Sequence, residues 1–346
     1  MRLMGPQEEI ALTGAFLSEI EAEALEANLR NDPNDEASRL KLLGFLAGRS
    51  ILDASLQDRF AKHVVWFLER NPGQEIVGTP WCRAPMPHSG YSAIAHAWER
   101  VLARAENAPE IVFNAAKFYS LSDPVRSRDL LMRGEQIAPS WPQWAEHLGT
   151  DLLRNVSVTR RFEDPRRKPD LKAVEAREVA GRALAHLERA LALERSPGGR
   201  LSILVTCAEA ALGAGRPSEA LRYSNETIAL AAECPGEPHR PDFLHEAHVI
   251  RGCVAMELED LVTARQELQA AGEAGDETAP VLSSFGPDFH LAWLLLERGE
   301  QKSVLAYLDR CATFWNPKRI SRWRAEIERG ERPRMTQGYD PLHNDE

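Results

Sequence analysis

No run of about 18 apolar residues occurs in this chain, so no segment has the composition of a membrane-spanning helix. The opening residues, MRLMGPQEEI, put acids where a secretory leader needs an unbroken apolar core, and the expectation is a cytoplasmic protein. Cysteine is sparse. Cys82, Cys207, Cys234, Cys253 and Cys311 are odd in number and scattered, which implies no disulfide framework and suits reduced, buried thiols. Basic residues are outnumbered, 42 against 52 acids, and a net charge of −10 repels nucleic acid and acidic membranes wherever no local basic patch overrides it. Catalytic signatures are missing too: there is no phosphate-binding loop, no nucleophile elbow and no paired-histidine zinc helix. Gly213-Ala214-Gly215 begins like a dinucleotide fingerprint, but no strand precedes it and Ser218 stands in place of the third glycine.

What the chain does have is helical periodicity over most of its 346 residues, enough for two ordinary domains or one repeat array. The clearest stretch is 201–232, two amphipathic helices joined at Gly213-Ala214-Gly215. Gly215 can take the left-handed conformation that ends a helix, and Pro217 suits the first turn of the next. Ala208 lies twelve residues before Ala220, placing small side chains where antiparallel helices cross, with Leu204, Leu212, Leu221 and Ile228 around them. The same grammar recurs downstream: Gly252 lies twelve before Ala264, and Ala292 twelve before Val304.

Upstream, 8–30 carries a helical face and ends at Asn31-Asp32-Pro33; a helix over 37–47 is expected to stop at Gly48, and 60–68 returns. Residues 72–90, rich in Pro and Gly, read as a loop folding over the surface or hanging from it. Helices over 91–104, 109–121, 125–137 and 140–153 follow, the last with its return helix, 179–193, delayed by an insert over 154–172. That insert lacks apolar periodicity, and 158–172 sets six basic residues against three acids, so it reads as an exposed loop. Asn316-Pro317 closes the series; 317–329 suits a capping helix and 330–346 a disordered tail.

Small residues at these offsets, turns just after the first helix, and prolines closing some units (Pro72, Pro139) resemble the tetratricopeptide repeat over most of 35–315. The resemblance implies an all-α solenoid of about six or seven antiparallel helix hairpins filling 1–329, stacked so that first helices line an inner groove. The period is irregular: the family unit is about 34 residues, whereas Ala208 to Gly252 is 44 and Gly252 to Ala292 is 40. The final units, GPDFHLAWLLLERGE and CATFW, look like those of a bacterial group of tetratricopeptide-type proteins, which adds fold and no activity.

Helical spacing puts Asn114 and Lys117 on the exposed side of one first helix, Glu146, His147 and Arg154 on the next, and Glu209 on a third. Such a mixed polar groove can grip an extended peptide; the plain alternative is a solvated face. Family co-chaperones that clamp a terminal carboxylate use Lys, Asn, Asn, Lys and Arg across three hairpins, and only Asn114 and Lys117 fit those types. His245 and His248, spaced i, i+3, can share a helix face with metal-ligand geometry, Cys234 and His239 being nearby in sequence, but no zinc motif is matched; hydrogen bonding between hairpins is the plain reading. Cys82 and His88 stand likewise. Trp81 is an aromatic among prolines that anchors its loop or meets a partner, while the remaining tryptophans fall in or beside helical patterns and read as packing. Arg160, Arg161, Arg166, Arg167 and Lys168 are the best argument for phosphate binding, set against an acidic chain without interleaved aromatics. The expected function is a non-enzymatic scaffold holding a peptide or protein partner, without cofactor; the alternative is an enzyme or accessory factor with a site near His245, His248 and His290.

Overall fold

The computed structural model describes residues 5–84, 86–105, 107–162 and 171–335, with side chains left out at 155–162 and 171–173. Among the described residues every regular element is helical and there is no strand. The chain packs as two units, and the boundary falls after Trp144.

The first unit contains α1 (Pro6–Ala15), α2 (Glu19–Asn31), α3 (Glu36–Leu52), α4 (Gln57–Arg70), α5 (Tyr91–Arg104), α6 (Pro109–Tyr119) and α7 (Pro124–Ile137). The single helix expected over 8–30 is two, because Ser18 and Glu21 form a capping box: the Glu21 N–H donates to Ser18 Oγ at 3.3 Å and the Ser18 N–H to Glu21 Oε2 at 2.8 Å. Helix α3 runs straight through Gly48, whose stop signal is outweighed by the packing of the surrounding helix. Gly14 on α1 lies against the Lys41 carbonyl, and Gly44 on α3 against the Ala11 carbonyl, so backbone meets backbone where these helices cross. Residues 72–90 do not hang free. Two short 3₁₀ turns, Glu75–Gly78 and Pro80–Cys82, bury Ile76, Val77 and Cys82, and the loop becomes part of the core.

Helix α8 (Pro142–Phe162) carries the boundary, and α9 (Leu171–Leu193) follows; the interval read as a loop is therefore helical up to Phe162 and again from Leu171. Within the second unit Gly149 of α8 fits against Leu187 and the Ala183 carbonyl of α9. Then come α10 (Pro197–Gly213), α11 (Pro217–Glu233), α12 (Arg240–Glu257), α13 (Leu261–Ala274), the single turn α14 (Leu282–Phe285), α15 (His290–Glu297), α16 (Gln301–Cys311) and α17 (Pro317–Glu328). Proline opens α6, α7, α10, α11 and α17, where its missing N–H costs no helical bond.

Three hairpins of this unit close with one turn. The Arg216 N–H donates to the Ala211 carbonyl at 2.9 Å, Asp260 to Ala255 at 2.9 Å, and Glu300 to Leu295 at 3.0 Å. A left-handed residue precedes each donor: Gly215 at φ +71°, Glu259 at +59° and Gly299 at +80°. Connectors this short force the paired helices antiparallel. Successive pairs lie side by side, with α10 against α12 and α12 against α15. Ala208, Ala220, Ala264, Ala292 and Val304 are fully buried. The bare face of Gly252, however, receives Leu291 of the next hairpin, so its small size serves the contact between α12 and α15. Beyond α17, Pro333 is buried and Met335 packs on the core; residues 336–346, read as tail, lie outside the described set.

Candidate functional site

In the first unit Asn114 is buried, not exposed: its amide donates to the carbonyls of Pro72 (3.1 Å) and Gln74 (2.9 Å). Folding of 72–90 onto α6 covers the face that helical spacing alone leaves open. Gly78 lies on Asn114 Oδ1 and Lys117 Cε, and the Lys117 ammonium sits 5.2 Å from the Phe113 ring centre. Both residues fasten a loop. His88 lies within it, its Nδ1 accepting from the Gly90 N–H at 3.1 Å and its Nε2 donating to Ser50 Oγ at 3.2 Å. Cys82 is buried, and its thiol pKa is pushed far up by that burial, the environment of an inert thiol.

In the second unit Glu146 and His147 are half-buried on α8, and Arg154 pairs with Asp151 at 3.3 Å. Burial and then the neighbouring Glu194 carboxylate raise the Glu146 pKa. Glu194 is held below the usual carboxylate range, since hydrogen bonds from Ser196 and Arg195 outweigh its own burial. Glu209 is half-exposed on α10 on the same face as Val205.

His245 is fully buried. Its Nδ1 donates to the Ala271 carbonyl at 3.0 Å and its Nε2 accepts from the Asp288 N–H at 3.1 Å, so one ring ties α12 to α13 and to the start of α15. Tyr307 stacks on it and donates its hydroxyl to the Asp288 carbonyl at 2.9 Å. With both nitrogens engaged, this imidazole has no lone pair left for a metal or a substrate. His248 faces elsewhere, donating from Nδ1 to Glu267 Oε2 at 2.7 Å, while Arg251 meets the other oxygen of that buried carboxylate at 2.8 Å. His290 is half-buried at the start of α15. His245 and His248 thus take separate hydrogen-bond partners. His239 is 2.8 Å from Asp242, whose other oxygen accepts the Val281 and Leu282 N–H groups and caps α14. No group of three His, Cys, Asp or Glu side chains with metal-binding geometry occurs among the described residues.

Sequence reasoning missed Glu267 and Asp242, the carboxylates that fix these rings. Glu267 carries a signal: it shares a helix face with Ala264, Leu268 and Ala271, an acid where periodicity calls for an apolar side chain. Trp66 on α4, read as packing, has the Arg39 guanidinium 4.4 Å and that of Arg70 4.3 Å from its ring centre. The side chains of Arg160, Arg161, Arg166, Arg167 and Lys168 lie outside the described residues.

The described residues are thus all-α, and the second unit stacks successive helix hairpins in the manner of helical-repeat proteins. Similar solved structures include a tetratricopeptide repeat protein from Parabacteroides merdae, at 12% identity over 92% of this chain and 97% of that one, with a TM-score of 0.42. Yeast Tom70 is another, at 12% identity over 87% of this chain and 66% of that one, with a TM-score of 0.34. No family model and no curated protein matches the chain.

Proposed function

We propose that this protein is a non-enzymatic interaction module of the cytoplasm that holds a peptide segment or protein surface along the first helices of its hairpins. The observation carrying this reading is the side-by-side packing of α10, α12 and α15. Val205 and Glu209 on α10, and His290, Trp293 and Leu294 on α15, occupy single helix faces and stay half-exposed. A half-wet face mixing an aromatic, aliphatic groups and charges suits a peptide, whose side chains need apolar cover and whose backbone needs polar contacts. No described helix is long and apolar enough to cross a membrane, and the net charge of −10 disfavours nucleic acid.

The test is affinity purification from the native cell with the wild type and with Trp293→Ala and Glu209→Arg variants. A protein recovered stoichiometrically with the wild type and lost with both variants supports the module. The alternative is an enzyme or accessory factor using the carboxylate-oriented His248. Native mass spectrometry showing a bound small molecule or metal, with no protein partner, would establish that alternative instead.

A further inference from the structure

Trp66 on α4 receives two arginines: Arg39 from the first turn of α3 and Arg70, the last residue of α4. Distances of 4.4 and 4.3 Å to one ring centre keep the guanidinium carbons within about 9 Å of each other. Two like charges this close repel each other, and the surrounding acids offset them without pairing with them. Asp35 attracts Arg39 at a distance but spends both oxygens on Ser38 as the cap of α3. Glu69 pairs with Arg100 at 3.2 Å and Glu26 with Arg59 at 3.0 Å, while Glu36 accepts from Gln7 and Gln74. Among the described residues, no carboxylate forms an ion pair with Arg39 or Arg70.

The pair is also held in place. Arg39 donates from Nε (3.2 Å) and Nη2 (2.9 Å) to the Pro33 carbonyl and from Nη1 to His63 Nδ1 (3.4 Å), and Arg70 donates to Asn34 Oδ1 at 3.4 Å. Burial first, and then the like charge of Arg70, pull the Arg39 pKa below the usual arginine range against the attraction of Asp35. Each guanidinium has five N–H donors and uses only some of them, so fixed donors remain for an incoming oxyanion. We propose that Arg39, Trp66 and Arg70 form a recognition site for the side-chain carboxylates of an acidic peptide segment on a partner protein. The overall charge of −10 opposes such a ligand at long range, but beyond about 8–10 Å it is screened at physiological salt, leaving the local pair to decide. The same overall charge makes a long polyanion a poorer fit than a short acidic segment. This site lies in the first unit and does not depend on the faces of α10 and α15.

The experiment is fluorescence anisotropy on the full chain, with a labelled peptide of about ten residues alternating Asp and Glu, and its Asn/Gln counterpart, at about 50 mM salt. The acidic peptide is expected to bind roughly tenfold or more tightly than the neutral one, and Arg70→Gln to weaken it by roughly fivefold or more. Arg70 is exposed and makes one long hydrogen bond, so this variant keeps the fold; Arg39→Gln, which loses three bonds, is read only if its melt is unchanged. Arg329→Gln, remote in sequence and paired with Glu331, should leave binding unchanged. Equal binding of the two peptides, or an unaltered affinity in Arg70→Gln, overturns the proposal. So does inorganic phosphate binding that depends on Arg70 without any binding of the acidic peptide, which would assign the pair to a small anion.

Discussion

His63, His88 and His245 are buried rings that each accept a hydrogen bond, from Arg39, from the Gly90 N–H and from the Asp288 N–H, and an acceptor must be neutral. Burial lowers all three pKa values, that of His63 to about 4, where the Arg39 charge adds to the effect. An unfolded histidine titrates near 6.5, so as pH falls below that value the unfolded chain takes up protons that the folded rings refuse. The contribution of these rings is therefore full above about pH 7, and His63 alone removes on the order of 3 kcal/mol between pH 6.5 and 4. Urea midpoints measured across this range should fall steeply for the wild type and less steeply for His63→Gln. Glu259 makes a second case. It holds φ +59° at a turn where the equivalent residues, Gly215 and Gly299, are glycines. Replacing it with glycine relieves left-handed strain, and the variant should gain about 1 kcal/mol in a thermal melt once glycine's larger unfolded entropy is counted.

At the scale of elements, α3 contains two glycines four residues apart with opposite roles. A methyl group on Gly44 would overlap the Ala11 carbonyl, whereas one on Gly48 meets nothing within 4 Å. Gly44→Ala should cost about 1–3 kcal/mol by forcing α1 and α3 apart. Gly48→Ala should stabilise by about 0.5–1 kcal/mol, as expected for alanine in an open helix position; chemical unfolding of the two variants reads both signs. Helical periodicity sets Gly44 on one side with Leu40 and Leu43, because that is a property of one helix. It made Gly48 a stop, because the packing that carries α3 past it comes from other elements. The same division explains the site residues. Turn chemistry at Gly215 and the small crossings at Ala208 and Ala220 are local and legible. The burial of Asn114 depends on a loop forty residues away in sequence, and no helical wheel contains that information. Asn114→Leu removes both bonds to the loop, so brief trypsin treatment should cut after Arg83 markedly faster than in the wild type, with α6 itself intact by circular dichroism.

Across the whole molecule, the helical class and the recurring hairpin were readable because each rests on spacing within about twenty residues. What spacing could not supply was which distant groups meet: Asp242 with the Val281 and Leu282 N–H groups, Glu267 with His248 and Arg251, and the Asp288 backbone with His245 and Tyr307. The three repeated turns place Gly215, Glu259 and Gly299 at intervals of 44 and 40 residues while their internal hydrogen bonding stays the same. The variation lies outside the turns, in the helices, such as α12 with 18 residues and α15 with 8, and in the segments between hairpins, such as 234–239, where Gly236 has open space around it. Chain length is fixed inside each reversal and adjustable between reversals. A short Gly-Ser segment spliced in after Gly236 should leave the melting temperature within about 2 °C of the parent, whereas one extra residue after Gly215 should lower it by several times that. The first position accordingly offers a place to graft a reporter epitope or fluorophore, from which the occupancy of neighbouring helices can be followed without touching them.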